Sequence, residues 1–228
     1  MDLMAITLDL DDTLWPVWPA IERAEVLLLD WLRQHAPATA AVHDTRSLRA
    51  LRVQVEQQYP DRLHDLSLLR LESIRLALQQ QGDDASLAEA AFEVFFAARQ
   101  RVEFFEDVLP ALERLAARWP ILALSNGNAD VQRVGLGRFF AGSLSARDFG
   151  RGKPEAAIFH AACSRLGAEP ARVLHIGDDG ALDIDGALQA GLRAAWVQRA
   201  GLPAVAAPLG QPHHTVADLL ALADQLGA

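Results

Sequence analysis

The sequence predicts an α/β protein: a parallel sheet covered on both faces by helices, with a helical domain inserted into it. Three observations predict this class. Short apolar strings, several of them β-branched, alternate with amphipathic helical patterns. Polar clusters of Asp, Ser, Asn and Lys fall at the ends of those strings. One connection is far longer than a crossover needs, and its filling is helical throughout.

The first string, Met4-Ala5-Ile6-Thr7-Leu8, stops at a carboxylate and reads as a buried strand. Ile121 to Leu124, Arg172 to Ile176 and Ala194 to Val197 repeat the pattern. Between them lie helical patterns over Val108–Arg118, Pro154–Leu166 and Asp183–Ala190, the second opening with Pro at a first-turn position. This is a Rossmann-like order of strand and helix. More than a hundred residues separate Leu8 from Ile121. Ile21, Ala24, Leu28 and Trp31 recur at helical spacing, as do Leu48, Leu51 and Val55, and then Leu71, Ile74 and Leu78. Arg70, Glu72, Arg75 and Gln79 occupy the other side of that last stripe, and Phe92, Phe95 and Phe96 start a final face running to Phe104 and Phe105. The expected division is therefore a core domain over 1–15 and 107–228 and a helical domain over 16–106.

The composition excludes several classes. Among 228 residues, 21 Lys and Arg against 30 Asp and Glu leave a net charge of −9, the wrong sign for a nucleic-acid surface. The one cysteine, Cys163, cannot form an internal disulfide and reads as a packed apolar thiol. The chain opens with neither a basic start nor a sustained apolar run. Its longest uncharged stretch, 200–217, is broken by prolines and by His213 and His214, which read as a surface loop. The expectation is a cytoplasmic protein with no membrane partner, monomeric or homodimeric.

In a parallel α/β sheet, ligands bind at the carboxyl ends of the strands. There the sequence places Asp9-Leu10-Asp11-Asp12-Thr13, then Ser125-Asn126-Gly127-Asn128, then Lys153 before its helix, then Gly177-Asp178-Asp179 with Asp183 following. Carboxylates gathered on one crevice repel unless a hard divalent cation sits among them, and Mg²⁺ takes few carboxylates and leaves room for a phosphate. Lysine, a serine hydroxyl and backbone N–H groups are the donors that phosphoryl oxygens require. The pattern points to transfer of a phosphoryl group from a small phosphate ester to a carboxylate, with a second carboxyl serving as acid and then base.

These four motifs resemble those of the haloacid dehalogenase superfamily, and the helical insertion resembles its first type of cap. The resemblance implies that Asp9 is the nucleophile and Asp11 the general acid/base. It implies Mg²⁺ held by Asp9, the backbone carbonyl of Asp11, and Asp178; the phosphoryl group on Ser125, Asn126 and Lys153; and Asp183 and Asp179 behind them. The superfamily also contains dehalogenases, whose nucleophile is typically not followed two residues later by aspartate. Asp11 therefore favours a phosphatase over a dehalogenase, and the presence of Asp9, Asp11, Ser125, Lys153 and Asp178 together argues against a catalytically silent binding module. Longer strings, Leu8 to Trp15, Ser125 to Ala129 and His175 to Asp179, are similar to a bacterial branch acting on flavin mononucleotide and on the phosphorylated ribitylamino-uracil of riboflavin synthesis. Pro16-Val17 departs from that branch, which has Asp-Asn there.

Further residues admit two readings. Trp15 and Trp18 either stack on a flat ring of the substrate or pack between domains. His175 reads as a satisfied core histidine. Arg147 and Arg151 either add positive field beside Lys153 or are solvated.

Overall fold

The computed structural model describes residues 2–203 and 206–228. In chain order it contains β1 (Ala5–Leu8), then the helices α1 (Val17–His35), α2 (Pro37–Val42), α3 (Thr45–Gln58), α4 (Leu66–Gln81) and α5 (Ala88–Arg99). There follow α6 (Val108–Ala116), β2 (Ile121–Ser125), β3 (Gly142–Ser145), α7 (Ala146–Phe149) and α8 (Ala156–Leu166). The chain ends with β4 (Val173–Gly177), α9 (Gly186–Gln189), β5 (Arg193–Val197), β6 (His214–Val216) and α10 (Leu219–Leu226). These elements form two compact units, Met1–Pro16 with Glu103–Ala228, and Val17–Val102. No helix among the described residues is long and apolar enough to cross a membrane.

The first unit is built on a six-stranded parallel sheet in the order β3-β2-β1-β4-β5-β6. Every residue of β1, β2 and β4 is buried, as unbroken apolar strands must be when helices cover both faces. Phe159 and Ile158 of α8 and Ala187 of α9 share one core with Leu122, Leu124 and Val173 of the strands. Strand order reverses between β1 and β4, where the open crevice of such a sheet lies. Leu8 pairs with Ile176 and with Ala123, so the residues just past these strands emerge at one edge.

Several expectations need correction. Pro154 is not in the first turn of a helix: α8 begins at Ala156 with Glu155 as its N-cap, and the Lys153–Pro154 peptide is cis. The stretch read as a helix from Asp183 starts as a π-helical turn over Gly180–Asp185, capped by Asp179. His214 opens β6, and the His213 N–H donates to the Ala194 carbonyl at 2.8 Å, so this pair flanks an edge strand and not a plain loop. Phe104 and Phe105 belong to the first unit, where Phe104 packs on Trp15 with ring centroids 5.9 Å apart.

The second unit buries the expected stripes: Ala24, Leu28, Leu48, Leu51, Ile74, Leu78 and Phe95 share one core. Arg70 departs from its expected outer face. It is buried beside the equally buried Glu25, with both terminal nitrogens 3.3 Å from Glu25 Oε1 and the guanidinium 4.3 Å from the Phe95 ring centre. Burial, with Arg52 nearby, pulls its pKa down to about 10. Removing the partner of such a group strands a buried charge. Glu25→Ala should lower the unfolding free energy by about 3–5 kcal/mol in a urea titration, whereas Asp30→Ala, which removes half of an exposed pair with Arg33, should leave the midpoint nearly in place. Equal, small effects would show that Arg70 does not depend on Glu25.

Candidate active site

The strand tips of the first unit converge on a crevice of about 170 Å³ lined by Asp9, Asp11, Asp12, Ser125, Asn126, Gly127, Lys153, Asp178, Asp179, Leu182 and Asp183. Asp9 leaves β1 with its N–H on the Ile176 carbonyl at 2.9 Å, which fixes it beside the end of β4. The Lys153 ammonium lies 2.5 Å from Asp9 Oδ1 and 2.5 Å from Asp183 Oδ1, with all three side chains buried. The structure thus brings Asp9, Asp11, Ser125, Asn126, Lys153, Asp178, Asp179 and Asp183 of the four motifs to one crevice.

Charge is unevenly shared among them. Burial alone would lower the Lys153 pKa, but the carboxylates of Asp183 and Asp9 overcome it and hold the ammonium firmly protonated. Burial would raise Asp183, yet Lys153 and the His175 hydrogen bond hold it well below the usual carboxylate range. Asp9 is the loser: burial raises it well above the ordinary value, the charges of Asp183 and Asp178 add to that, and Lys153 only partly offsets them. Asp178 is pushed up to about 7 by burial and by Asp183, against the Thr13 hydrogen bond. One ammonium faces three carboxylates.

Oxygens of Asp9, Asp178 and Asp183 lie within 4.8 Å of one another. A hard all-oxygen donor set, whose Asp9 and Asp178 carboxyls are pushed up by burial and by neighbouring carboxylates, fits a divalent cation of the Mg²⁺ type.

A second layer holds these groups in place. Asp183 Oδ1 is 3.0 Å from His175 Nε2, and His175 Nδ1 is 2.9 Å from the Thr7 hydroxyl. A carboxylate only accepts, so Nε2 carries the proton and Nδ1 accepts from Thr7. Asp179 acts on Asp183 through its main chain, its N–H donating to Oδ2 at 3.0 Å, while its side chain caps the π-helical turn. Gly177 permits this packing, since a Cβ there would lie 2.3 Å from Asp183 Cγ. Asn126 acts on Lys153: its Oδ1 accepts from the Lys153 N–H at 2.8 Å and its Nδ2 donates to the Lys153 carbonyl at 2.9 Å. Ser125 Oγ accepts from the Gly127 N–H at 2.9 Å, which leaves its own proton to donate.

The residues with two readings separate. Trp15 is fully buried and donates from Nε1 to Asp11 Oδ1 at 2.9 Å, so it packs and offers no ring face to a ligand. Trp18 belongs to the second unit and is exposed, with the Arg49 guanidinium 4.6 Å from its ring centre. Arg151 pairs in solvent with Glu155, and Arg147 is exposed. Cys163 is buried, and burial pushes its thiol up to about 11.

Two residues went unassigned in the sequence. The buried Thr13 hydroxyl donates to Asp178 Oδ1 at 2.8 Å and lies 3.4 Å from Asp9 Oδ2, so it ties the β1 loop to the β4 loop. Its position in the first motif was the available signal. Arg199 grips the Thr13 carbonyl with Nε and Nη2 at 3.0 and 2.7 Å, and pairs with Asp107 at 2.7 Å. Nothing in its sequence surroundings marks it.

Comparison with known proteins agrees with this geometry. A family model described as haloacid dehalogenase-like hydrolase matches residues 3–191, and the chain belongs to that family. It is 34% identical over 200 residues to the 5-amino-6-(5-phospho-D-ribitylamino)uracil phosphatase YigB of Escherichia coli (strain K12), covering 86% of this chain and 84% of the relative. It is 28% identical to the N-acylneuraminate-9-phosphatase of Rattus norvegicus, over 96% of this chain and 91% of the relative. A crystal structure titled 2-haloacid dehalogenase, from Pseudomonas syringae pv. Tomato DC3000, superposes with a TM-score of 0.89 at 37% identity, covering 99% of this chain and 100% of that one. By family and by these curated relatives the chain is an enzyme, a hydrolase of the phosphatase kind.

The raised pKa of Asp178 has a measurable consequence. Its carboxyl titrates near 7 in the fold and near about 3.9 when unfolded. Between those values the native state holds a proton that the unfolded chain lacks, so stability falls as pH rises through the window. In chelator, Asp178→Asn should melt with the wild type near pH 4 and above it at pH 8. An Asn variant that melts below the wild type at pH 8 would contradict the charge imbalance.

Proposed function

We propose that this protein hydrolyses a small-metabolite phosphate monoester in two steps through an aspartyl phosphate on Asp9. One observation carries the reading: a buried aspartate at the sheet's switch point is held 2.5 Å from a lysine ammonium, with Ser125, Asp11 and Asp178 lining the same crevice. Lys153 has three N–H donors, two of them engaged by Asp9 and Asp183, and the third is available to a phosphoryl oxygen. The Ser125 hydroxyl and the Asn126 backbone N–H supply further donors.

Asp9 attacks phosphorus, and Asp11 gives a proton to the ester oxygen as its bond to phosphorus breaks. Asp11, now ionised, takes a proton from the water that attacks the phosphorus of the acyl phosphate. Inorganic phosphate leaves and the Asp9 carboxylate returns. Asp9, Asp178 and the backbone carbonyl of Asp11 would hold Mg²⁺, which when bound offsets the charge on the phosphoryl oxygens. Asp183 keeps Lys153 in place.

The match to a structure titled dehalogenase supports a second reading, displacement of halide from a haloacid by Asp9. Halide departs without a proton or a cation, so Asp11 has no proton to deliver there, and the gathering of Asp178 and Asp183 beside Asp9 has no cation to hold. For the substrate, likeness to the YigB phosphatase and the strings around Asp9, Ser125 and Asp178 favour a ribityl phosphate, the phosphorylated ribitylamino-uracil or flavin mononucleotide. The same proposal gives the chemistry to the core, 1–15 and 107–228, and the choice of ester to the helical domain, 16–106.

Phosphate release from flavin mononucleotide, nucleotides and sugar phosphates, with Mg²⁺ or with chelator, tests the reading. Release should require the metal, favour the ribityl ester, and fall by about 10³-fold or more in Asp9→Asn. Metal-independent chloride release from 2-chloropropionate, with no phosphate released from any ester, would establish the dehalogenase instead.

A further inference from the structure

The carboxylate of Asp11 is reached by a donor that comes from the core. After β1 the chain folds back: the Leu14 N–H donates to the Leu10 carbonyl and the Asp12 N–H to the Trp15 carbonyl, both at 2.8 Å. Asp12 makes the reversal in the left-handed region at φ 59°, which aspartate tolerates better than most residues. The return lays Trp15 alongside Asp11 and brings indole Nε1 to 2.9 Å from Asp11 Oδ1. The ring is fully buried, tilted 55° against Phe104, and the Phe105 N–H donates to the Leu14 carbonyl at 3.1 Å, which pins the turn from the other side. A close-packed ring of this kind does not swing away from its acceptor.

We propose that Trp15 is a positioning residue for Asp11, its indole N–H orienting the carboxyl that handles the proton. This rests on the reading of Asp11 as acid and base. An indole N–H donates and never accepts, so Oδ1 serves as the acceptor in this contact and the carboxyl plane is held by it. In transfer to Asp9 the proton passes from the Asp11 carboxyl to the ester oxygen as the P–O bond breaks; in hydrolysis the Asp11 carboxylate receives one from the attacking water. Holding the carboxyl plane narrows the directions in which Asp11 presents its proton, so a larger share of bound complexes is productively aligned.

The test separates positioning from packing. Trp15→Phe keeps an aromatic ring and removes the N–H. The variant and the wild type are compared by kcat/KM on an alkyl phosphate, whose leaving group needs a proton, and on p-nitrophenyl phosphate, whose phenolate leaves without one. This parameter reports the steps up to transfer onto Asp9 and not the later hydrolysis. The alkyl-to-aryl ratio should fall about tenfold or more in Trp15→Phe, and Asp11→Asn should lower the same ratio. Equal losses on the two esters in Trp15→Phe would make Trp15 a packing residue and overturn the proposal. A ratio unmoved by Asp11→Asn would overturn the reading of Asp11 itself. If Trp15→Phe does not fold, the indole N–H resonances of the five tryptophans in wild type and Asp11→Ala decide. A shifted resonance in Asp11→Ala supports the contact, and five unmoved ones overturn it.

Discussion

Asp9, Asp178 and Asp183 surround the single ammonium of Lys153. In water such a group would separate or take up protons; here the backbone forbids separation. Asp9 is fixed by its hydrogen bond to β4, Asp183 by Asp179, His175 and the missing Cβ of Gly177, and Lys153 by the two bonds from Asn126. Burial magnifies each interaction, favourable or not. The cluster is therefore held short of positive charge, a shortage that a divalent cation would fill and that must be filled before an anionic phosphoryl group can enter.

The sheet order explains how residues so distant in sequence share one small space. With β1 central and β2 and β4 on either side, the first carboxylate lies between the donors after β2 and the acid after β4. Lys153 enters from the loop before α8. Thr13 couples the two acidic loops, and Arg199 holds Thr13 by its carbonyl while pairing with Asp107. Asp107 Oδ2 in turn accepts from the Leu219 N–H at 2.8 Å at the start of α10. The loop after β1 is thereby tied to the C-terminal helix of the unit.

Much of this was legible in the sequence for simple reasons. Buried parallel strands are written as continuous apolar strings, so β1, β2, β4 and β5 stood out. The edge strands did not: Gly142-Ser143-Leu144-Ser145 and His214-Thr215-Val216 are short and half exposed, and edge strands carry little apolar signal. Arg70 reads as an outer-face residue because a single apolar stripe implies one buried side per helix. α4 instead packs against α2, α3 and α5, so it is buried on more than one side and its polar residues must pair inside. The site's carboxylates and lysine were readable from motif order at strand ends. Their supports were not, because Arg199 and His175 act through contacts between residues far apart in the chain, and the use of Asn126 on Lys153 depends on a loop conformation that spacing does not encode.

The charge shortage can be measured directly by titrating Mg²⁺ calorimetrically into the metal-free protein in two buffers of different ionisation enthalpy. If burial and mutual repulsion keep protons on Asp178 and Asp9, metal binding at pH 6 releases protons, and the release is smaller at pH 9, above the value to which Asp178 is raised. Binding without proton release at pH 6, or no binding at all, would contradict the account.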